Sequence, residues 1–290
     1  MHRISAACRG SYRERVPDVG KIVNAMQAKG MIAQESEIEN DHVAFRTLGV
    51  PHLGLASFEK IFLHYGYTKM EPYFFAKKKL DAYWYAPPHP KYPRIFISEL
   101  RVQYLSEASQ QIIKKFTQSI NSDPVDALDL NNAAQVGAFF HRPLWNLPTA
   151  KEYEALSSES EYAAWVIYNR YYLNHYTISV HALSAYNTLE KFNAFLEEIG
   201  VVLNTAGGKI KVSPDGLLRQ SSSVAKMIEA TFACGTRQEI PGSYVEFAER
   251  LPLAEFQHLT AAELKREHRR EGFEAGNADK IFESTFREQT

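Results

Sequence analysis

Two separated stretches of this chain run through the same order of elements, and that repetition narrows the fold more than any other feature. Asp41-His42-Val43 opens one stretch and Asn174-His175-Tyr176 the other, each a run of strand formers with histidine second. Each leads into a helical pattern: Phe58, Ile61 and Phe62 recur at helical spacing in the first, and Leu189, Phe192, Phe195 and Leu196 in the second. A glycine stops each helix, Gly66 and Gly200. Short strands follow, and each half closes on a strand with a central glutamate, Glu99 in RIFISELRV and Glu246 in GSYVEFAER. The order is βαβββ twice. Such a repeat predicts an α+β fold in which two similar units face one another across a pseudo-twofold axis.

The first unit spans about 40–104 and the second about 173–251, within a single domain covering 1–290. Between them, about 105–172 reads as a helical insertion, with helices expected over Ser106–Ile120, Thr149–Leu156 and Glu161–Tyr172. A further helix is expected from Pro17 to Met31. In the second unit the strand opened by Asn174 is expected to run to Leu183. The tail, 252–290, is polar and charged, with a helix expected near Ala261–Arg270 and a less polar end, GFEAGNADKIFESTF.

Composition removes several function classes. With 33 basic and 34 acidic residues, the chain has no net field to hold a nucleic acid or an anionic membrane. No apolar run is long enough for a membrane-spanning helix. Cys8 and Cys234 form no CxxC pair, which excludes a disulfide framework and a cysteine-built zinc finger and points to a reducing, cytoplasmic setting. The first fifteen residues hold Arg3, Arg9, Arg13 and Arg15 with Ser5 and Ser11 against one acid, Glu14. That composition also suits a transit peptide, which keeps plastid and mitochondrion open beside a frayed helix start. GxGxxG, Walker A, GxSxG and HExxH motifs are absent.

If the first and last strands of the two units line one cavity, their inward residues are His42, Glu99, His175 and Glu246. Two imidazoles and one carboxylate on one side of an ion, with other positions open, suit non-haem Fe(II) and dioxygen chemistry. His181 follows His175 by an even number of residues and is a rival ligand or a supporting group. His52, His64, His89 and His141 fall in loops or on helices and read as structural. Arg46 lies four residues after His42, so on a strand both side chains face the same way. Their Cα atoms are then about 13 Å apart, a gap that a long arginine partly spans to grip a substrate carboxylate. Tyr244 shares the face of Glu246, and its phenol can reach a ligand or only pack. Gln220 and the run Ser221, Ser222 and Ser223 can reach substrate or only close a strand. Asn277 and Ser284 would reach the cavity only if the tail folds back over it.

The segments DHVAFRTLG, RIFISEL, RPLW, EYAAW followed by NHYTISV, IPGSYVEFAER and GFEAGNADKIFEST resemble the 2-oxoadipate dioxygenase/decarboxylase family, from about Val19 to Phe286. The resemblance implies a vicinal-oxygen-chelate-like barrel built from the two βαβββ units. It implies Fe(II) held by His42, His175 and Glu246, with Arg46 on the far carboxylate of the substrate. The implied reaction takes 2-oxoadipate and dioxygen to 2-hydroxyglutarate and carbon dioxide, in lysine breakdown. Ser222, Tyr244 and Asn277 are the further substrate-binding candidates. The expected partners are a small 2-oxo acid and dioxygen, with no nucleic acid or membrane. Two other readings stay open. One is a metal-dependent glyoxalase-type isomerase or lyase, which would need Glu99 as a fourth ligand. The other is a non-catalytic binding protein of the same fold.

Overall fold

The computed structural model describes residues 12–287. At its centre strand β1 (Asn40–Leu48) lies antiparallel to β5 (His175–Ser179), with Ala44 opposite His175. These are the opening strands of the two repeats, and the pseudo-twofold passes between them. Each has the closing strand of its own unit beside it in parallel: β4 (Arg94–Leu100) next to β1, and β10 (Tyr244–Arg250) next to β5. Outside β4 come β3 (Leu80–Ala86) and β2 (Thr68–Phe75); outside β10 come β7 (Leu218–Ser222) and the short β6 (Lys211–Val212), all antiparallel. One curled, eight-stranded sheet results, in the order β2-β3-β4-β1-β5-β10-β7-β6, and its halves match strand for strand. A separate ribbon, β8 (Met227–Thr231) with β9 (Arg237–Pro241), intervenes between β7 and β10.

The period of two along the strands decides what each face carries. On β1, Phe45 points outward against Phe58 and Phe62 of helix α2 (Leu55–His64). On β10, Phe247 likewise meets Phe192 of α7 (Leu189–Glu198). Between the units the insertion supplies α3 (Glu107–Thr117), α4 (Ala133–Phe139), α5 (Ala150–Glu159) and α6 (Glu161–Asn169). Helix α5 starts on a capping box between Thr149 and Glu152. Helix α1 (Pro17–Ala28) buries Val19, Ile22, Val23 and Met26. The concave face holds the polar set of these strands, and that set is buried as completely as the apolar one. Polar side chains hidden from water need partners, so this face is where chemistry is expected.

Three expectations need correction or restriction. Strand β5 ends at Ser179, and Val180–Ala182 form a 3-10 turn, so His181 leaves the face of His175. Ala261–Arg270 contains turns and one 3-10 turn, Arg266–His268, rather than a helix. The stretch lacks an apolar stripe, and its arginines instead reach main-chain oxygens, Arg266 to Pro90 and Tyr92, and Arg269 to Arg250. The Arg- and Ser-rich beginning falls mostly outside the described residues, although Tyr12 is buried and its hydroxyl donates to the Tyr244 carbonyl. Among the described residues no helix is long and apolar enough to cross a membrane.

Candidate metal centre

Strand pairing brings together three residues far apart in sequence. Ala44 pairs with His175 and Thr177 with Glu246, so His42, His175 and Glu246 stand on neighbouring strands of the concave face. The imidazole centroids are 5.5 Å apart. Glu246 Oε2 lies 3.0 Å from His175 Nε2 and 3.4 Å from His42 Nε2. All three side chains are buried.

Each imidazole is fixed from behind by the residue that precedes it. His42 Nδ1 is 2.9 Å from Asp41 Oδ2, and His175 Nδ1 is 3.0 Å from Asn174 Oδ1. Those contacts put the proton on Nδ1 and leave Nε2 as the donor toward the cavity, the usual arrangement behind a metal-binding histidine. In the sequence the signal is the Asp-His and Asn-His pairs, which mark the repeat without revealing this role. Asp41 is itself anchored by Arg250, at 2.6 Å from Nε and 2.9 Å from Nη2, and by Arg94 at 3.1 Å. Glu246 Oε1 accepts from Gln220 Nε2 at 2.6 Å.

Protonation follows from these contacts. Burial alone would raise the Glu246 carboxyl, but His42 and His175 hold it down at about 2, so it is a carboxylate. Burial pulls His175 below the ordinary histidine value even though Glu246 opposes it, which leaves a neutral ring. Burial also works against a charged His42, but Glu246 and Asp41 outweigh it and raise its pKa. A metal cation on His42 Nε2 would compete with a proton there.

The donor set fits a divalent ion. Two donors about 2.1 Å from an ion and at right angles are separated by roughly 3.0 Å, and tetrahedral donors by roughly 3.4 Å. The two measured separations match that range, and one ligand atom from each residue can be chosen so that all lie within 4.8 Å of one another. Three residues on one side leave the opposite positions of the ion open.

The cavity in front of the triad is lined by Arg46, Phe96, Ser98 and Tyr244 from the sheet and by Phe273, Ile281 and Phe282 from the C-terminal segment. Arg46 is 1% exposed and lies among the rings of Tyr162, Trp165 and Phe282, at 5.1, 5.2 and 5.6 Å. Its Nη1 donates to Thr285 Oγ1 at 2.9 Å and its Nη2 to the Phe282 carbonyl at 3.3 Å. The Tyr244 hydroxyl lies against this guanidinium, and apart from that contact neither it nor Nε has a hydrogen-bond partner. Among the described residues, no carboxylate comes within ion-pair distance of this guanidinium. A buried cation without a counter-ion is costly, and its site is complete only when an anion joins it.

The other candidates fall elsewhere. Glu99 pairs with Thr47 and points to the helical face, where its carboxylate accepts from Leu55 N at 2.6 Å, the first residue of α2. The position equivalent to Glu246 is the partner of Ala44, and that residue is Phe96. The true counterpart of Glu99, three residues further on, is Glu249, which accepts from Leu189 N, the first residue of α7. Both glutamates therefore hold the N-terminus of their own unit's helix. His181 accepts from Arg250 N at 3.2 Å, and burial lowers it to about 4. Ser222 meets the Ser284 hydroxyl at 2.8 Å, and Asn277 donates to Gln220 Oε1 at 3.0 Å. Neither lines the cavity; both join the C-terminal segment to β7. Ser221 turns away, to Asn193. Gln220 meets Glu246 diagonally across the paired β7 and β10, and its second contact, to Asn277, depends on how the tail docks.

Two βαβββ units curled around one buried site that can hold a metal ion define an enzyme of vicinal-oxygen-chelate type. Comparison narrows the class. A family model described as 2-oxoadipate dioxygenase/decarboxylase matches residues 4–262. A chloroplastic 2-oxoadipate dioxygenase/decarboxylase of Arabidopsis thaliana is 47% identical over 290 residues, 96% of this chain and 75% of that protein. The crystal structure of the hydroxyglutarate synthase from Oryza sativa in complex with 2-oxoadipate is 41% identical, with a TM-score of 0.88 over 99% of this chain and 92% of that one. A protein described as of the glyoxalase superfamily, from Ralstonia eutropha JMP134, shares the fold at 20% identity and a TM-score of 0.73, over 94% of this chain and 85% of that one. The chain belongs to the 2-oxoadipate dioxygenase/decarboxylase family.

Proposed function

We propose that this enzyme binds Fe(II) through His42, His175 and Glu246 and converts 2-oxoadipate, or a closely similar 2-oxo dicarboxylic acid, and dioxygen to 2-hydroxyglutarate and carbon dioxide. The observation that carries this reading is a three-donor site and an unpaired buried guanidinium sharing one enclosed cavity. The names of the relatives support the substrate: one is a 2-oxoadipate dioxygenase/decarboxylase, and another was crystallised with 2-oxoadipate. The atoms balance, since the six-carbon acid and both oxygen atoms reappear in a five-carbon hydroxy acid and carbon dioxide.

Fe(II) at this site supplies a chelating centre for a 2-oxo carboxylate and a reductant for dioxygen. The protein's own residues do the rest. Asp41 and Asn174 keep both imidazole rings turned with Nε2 inward. Arg46 takes the distal carboxylate, with its Nε as an added donor and the adjoining Tyr244 hydroxyl as a second. Two charge-assisted bonds to one carboxylate fix the length of the acid as well as its charge. Phe96, Phe273, Ile281 and Phe282 surround the methylene chain and exclude water, which strengthens the electrostatic contacts inside. Ser222 and Asn277 serve the substrate indirectly, by seating the wall that covers it.

The glyoxalase-type alternative asks Glu99 for a fourth donor, and Glu99 is on the other face of the sheet holding α2. The location of the Arabidopsis relative, chloroplastic, favours the plastid over the cytoplasm for this enzyme. The test is oxygen uptake by anaerobically prepared, Fe(II)-loaded protein on addition of 2-oxoadipate, with 2-hydroxyglutarate identified as product. His42→Ala, His175→Ala and Glu246→Ala should each abolish iron binding. Protein that binds Fe(II) fully and consumes no oxygen with any 2-oxo dicarboxylate would overturn the reading.

A further inference from the structure

The cavity is shut. Of the residues that line it, only Ala278 is more than slightly exposed. A dianionic six-carbon acid is far larger than this space, so one wall must move to admit it. Most walls are sheet strands, held by continuous pairing. Beyond the strands, Phe273 precedes the segment formed by α8 (Ala275–Ile281) and the turn Phe282–Thr285, which contributes Ala278, Ile281 and Phe282. This segment adds no strand to the sheet and is held mainly by side-chain contacts. On its inner side Asn277 reaches Gln220, Ser284 reaches Ser222 and Asn204, and Thr285 and the Phe282 carbonyl reach Arg46. On its outer side Lys78 Nζ holds Asp279 at 2.8 Å and Glu283 at 3.2 Å.

The inner contacts include one with chemical direction. Gln220 turns its NH2 end to Glu246 Oε1, at 2.6 Å, and a carboxylate bound to a metal can only accept. The carbonyl end of Gln220 then points the other way, and Asn277 meets it with its own NH2. Among the described residues Asn277 is the donor to that oxygen, and it reinforces the orientation that Glu246 requires. The flipped amide would set an oxygen against the Glu246 carboxylate.

We propose that 275–285 is the lid through which substrate enters, and that Asn277 is a positioning residue whose docking, as the lid closes, orients Gln220 and so holds Glu246 in its metal-binding pose. The proposal rests on the reading that Glu246 is a metal ligand. Lid closure and completion of the centre are then one event, and an open lid leaves a looser site. Lys78 is the external latch.

The test measures Fe(II) affinity anaerobically, by competition with a chromophoric chelator, and amide hydrogen exchange across 275–285. Gln220→Leu should weaken Fe(II) binding by about ten- to a hundredfold, as expected for a group behind a ligand. Asn277→Leu should weaken it by about two- to tenfold, the worth of one neutral hydrogen bond. The double variant should be no weaker than Gln220→Leu alone, because Asn277 acts through Gln220. If Asn277→Leu does not fold, Asn277→Ala carries the same comparison. In the Fe(II)-loaded enzyme 2-oxoadipate should slow exchange across 275–285, and Lys78→Met should speed it in the free protein. Unchanged affinity in Asn277→Leu, additive losses in the double variant, or exchange across 275–285 as slow as in β1 and insensitive to Lys78→Met would each overturn the proposal. His42→Leu separates the two levels. If it abolishes Fe(II) binding while the Asn277 variant is silent, the centre stands and the coupling fails; if it binds Fe(II) like wild type, the centre itself is misread.

Discussion

Replacing Arg46 with methionine removes the charge and the donors while keeping a side chain of similar length among the rings of Tyr162, Trp165 and Phe282. A hydrogen bond to a charged group contributes about 1.5–3 kcal/mol, and a bidentate carboxylate engages two. With the other charge left buried and unpaired, the loss at the substrate is about 3–5 kcal/mol. At about 1.4 kcal/mol per factor of ten, that is roughly two to three and a half orders of magnitude in kcat/KM. Most should appear in KM, because the distal carboxylate is bound alike before and during the reaction. The sharper reading comes from a pair of substrates. Wild type should strongly prefer 2-oxoadipate to the monocarboxylic 2-oxohexanoate, and Arg46→Met should bring the two within about tenfold of each other. The assay is oxygen uptake with each acid over a range of concentrations. If Arg46→Met lowered both rates and kept the wild-type preference, the guanidinium would be a lid support through Thr285 and Phe282 and not the carboxylate clamp.

Asp41→Asn should lower the stability of the metal-free protein by about 3–5 kcal/mol in urea denaturation, because Arg250 is left buried without a carboxylate partner while Arg94 keeps only Glu271. Burial opposes the Asp41 charge, but Arg250 and Arg94 hold its carboxyl well below the usual range. Its contribution to stability is therefore present above the ordinary aspartate value and lost as pH falls through the folded one, and the Asp41→Asn variant should show a flatter acid limb. Glu99→Gln should leave Fe(II) affinity unchanged and cost about 0.5–2 kcal/mol of stability, the scale of a helix N-terminal contact; any large loss of metal would return Glu99 to the centre. Fe(II) affinity should fall as pH drops through the raised His42 value, with one proton released per ion bound below it, and a flat profile as pH falls to the ordinary histidine value and below it would contradict the competition between proton and metal.

The repeat and the period of two are enough to read His42, His175, Glu246 and Arg46 onto one face, because strand pairing keeps alternate residues together whatever the loops do. Register is not legible in the same way. Glu99 matches Glu246 as the carboxylate nearest the middle of each closing strand, but an odd offset moves a side chain through the sheet, and Glu99 belongs with Glu249 instead. His181 reads as a strand-face residue because nothing in NHYTISVHAL marks the turn that begins at Val180. The relay from Asn277 through Gln220 is beyond sequence reading. It joins two segments through a docking geometry set by the whole C-terminal run, and an amide side chain announces neither its partner nor its direction.

The aromatic ring at position 96 has a consequence for the architecture. A duplicated unit left to its own symmetry would offer the cation a matching donor from each half and close around it on every side. Phe96 breaks that symmetry: where one half extends a carboxylate, the other presents a hydrophobic blank. The centre thereby gains a back and a front. A single exchange such as Phe96→Glu would restore the missing quarter, and a cation so enclosed would be bound more firmly and work less well.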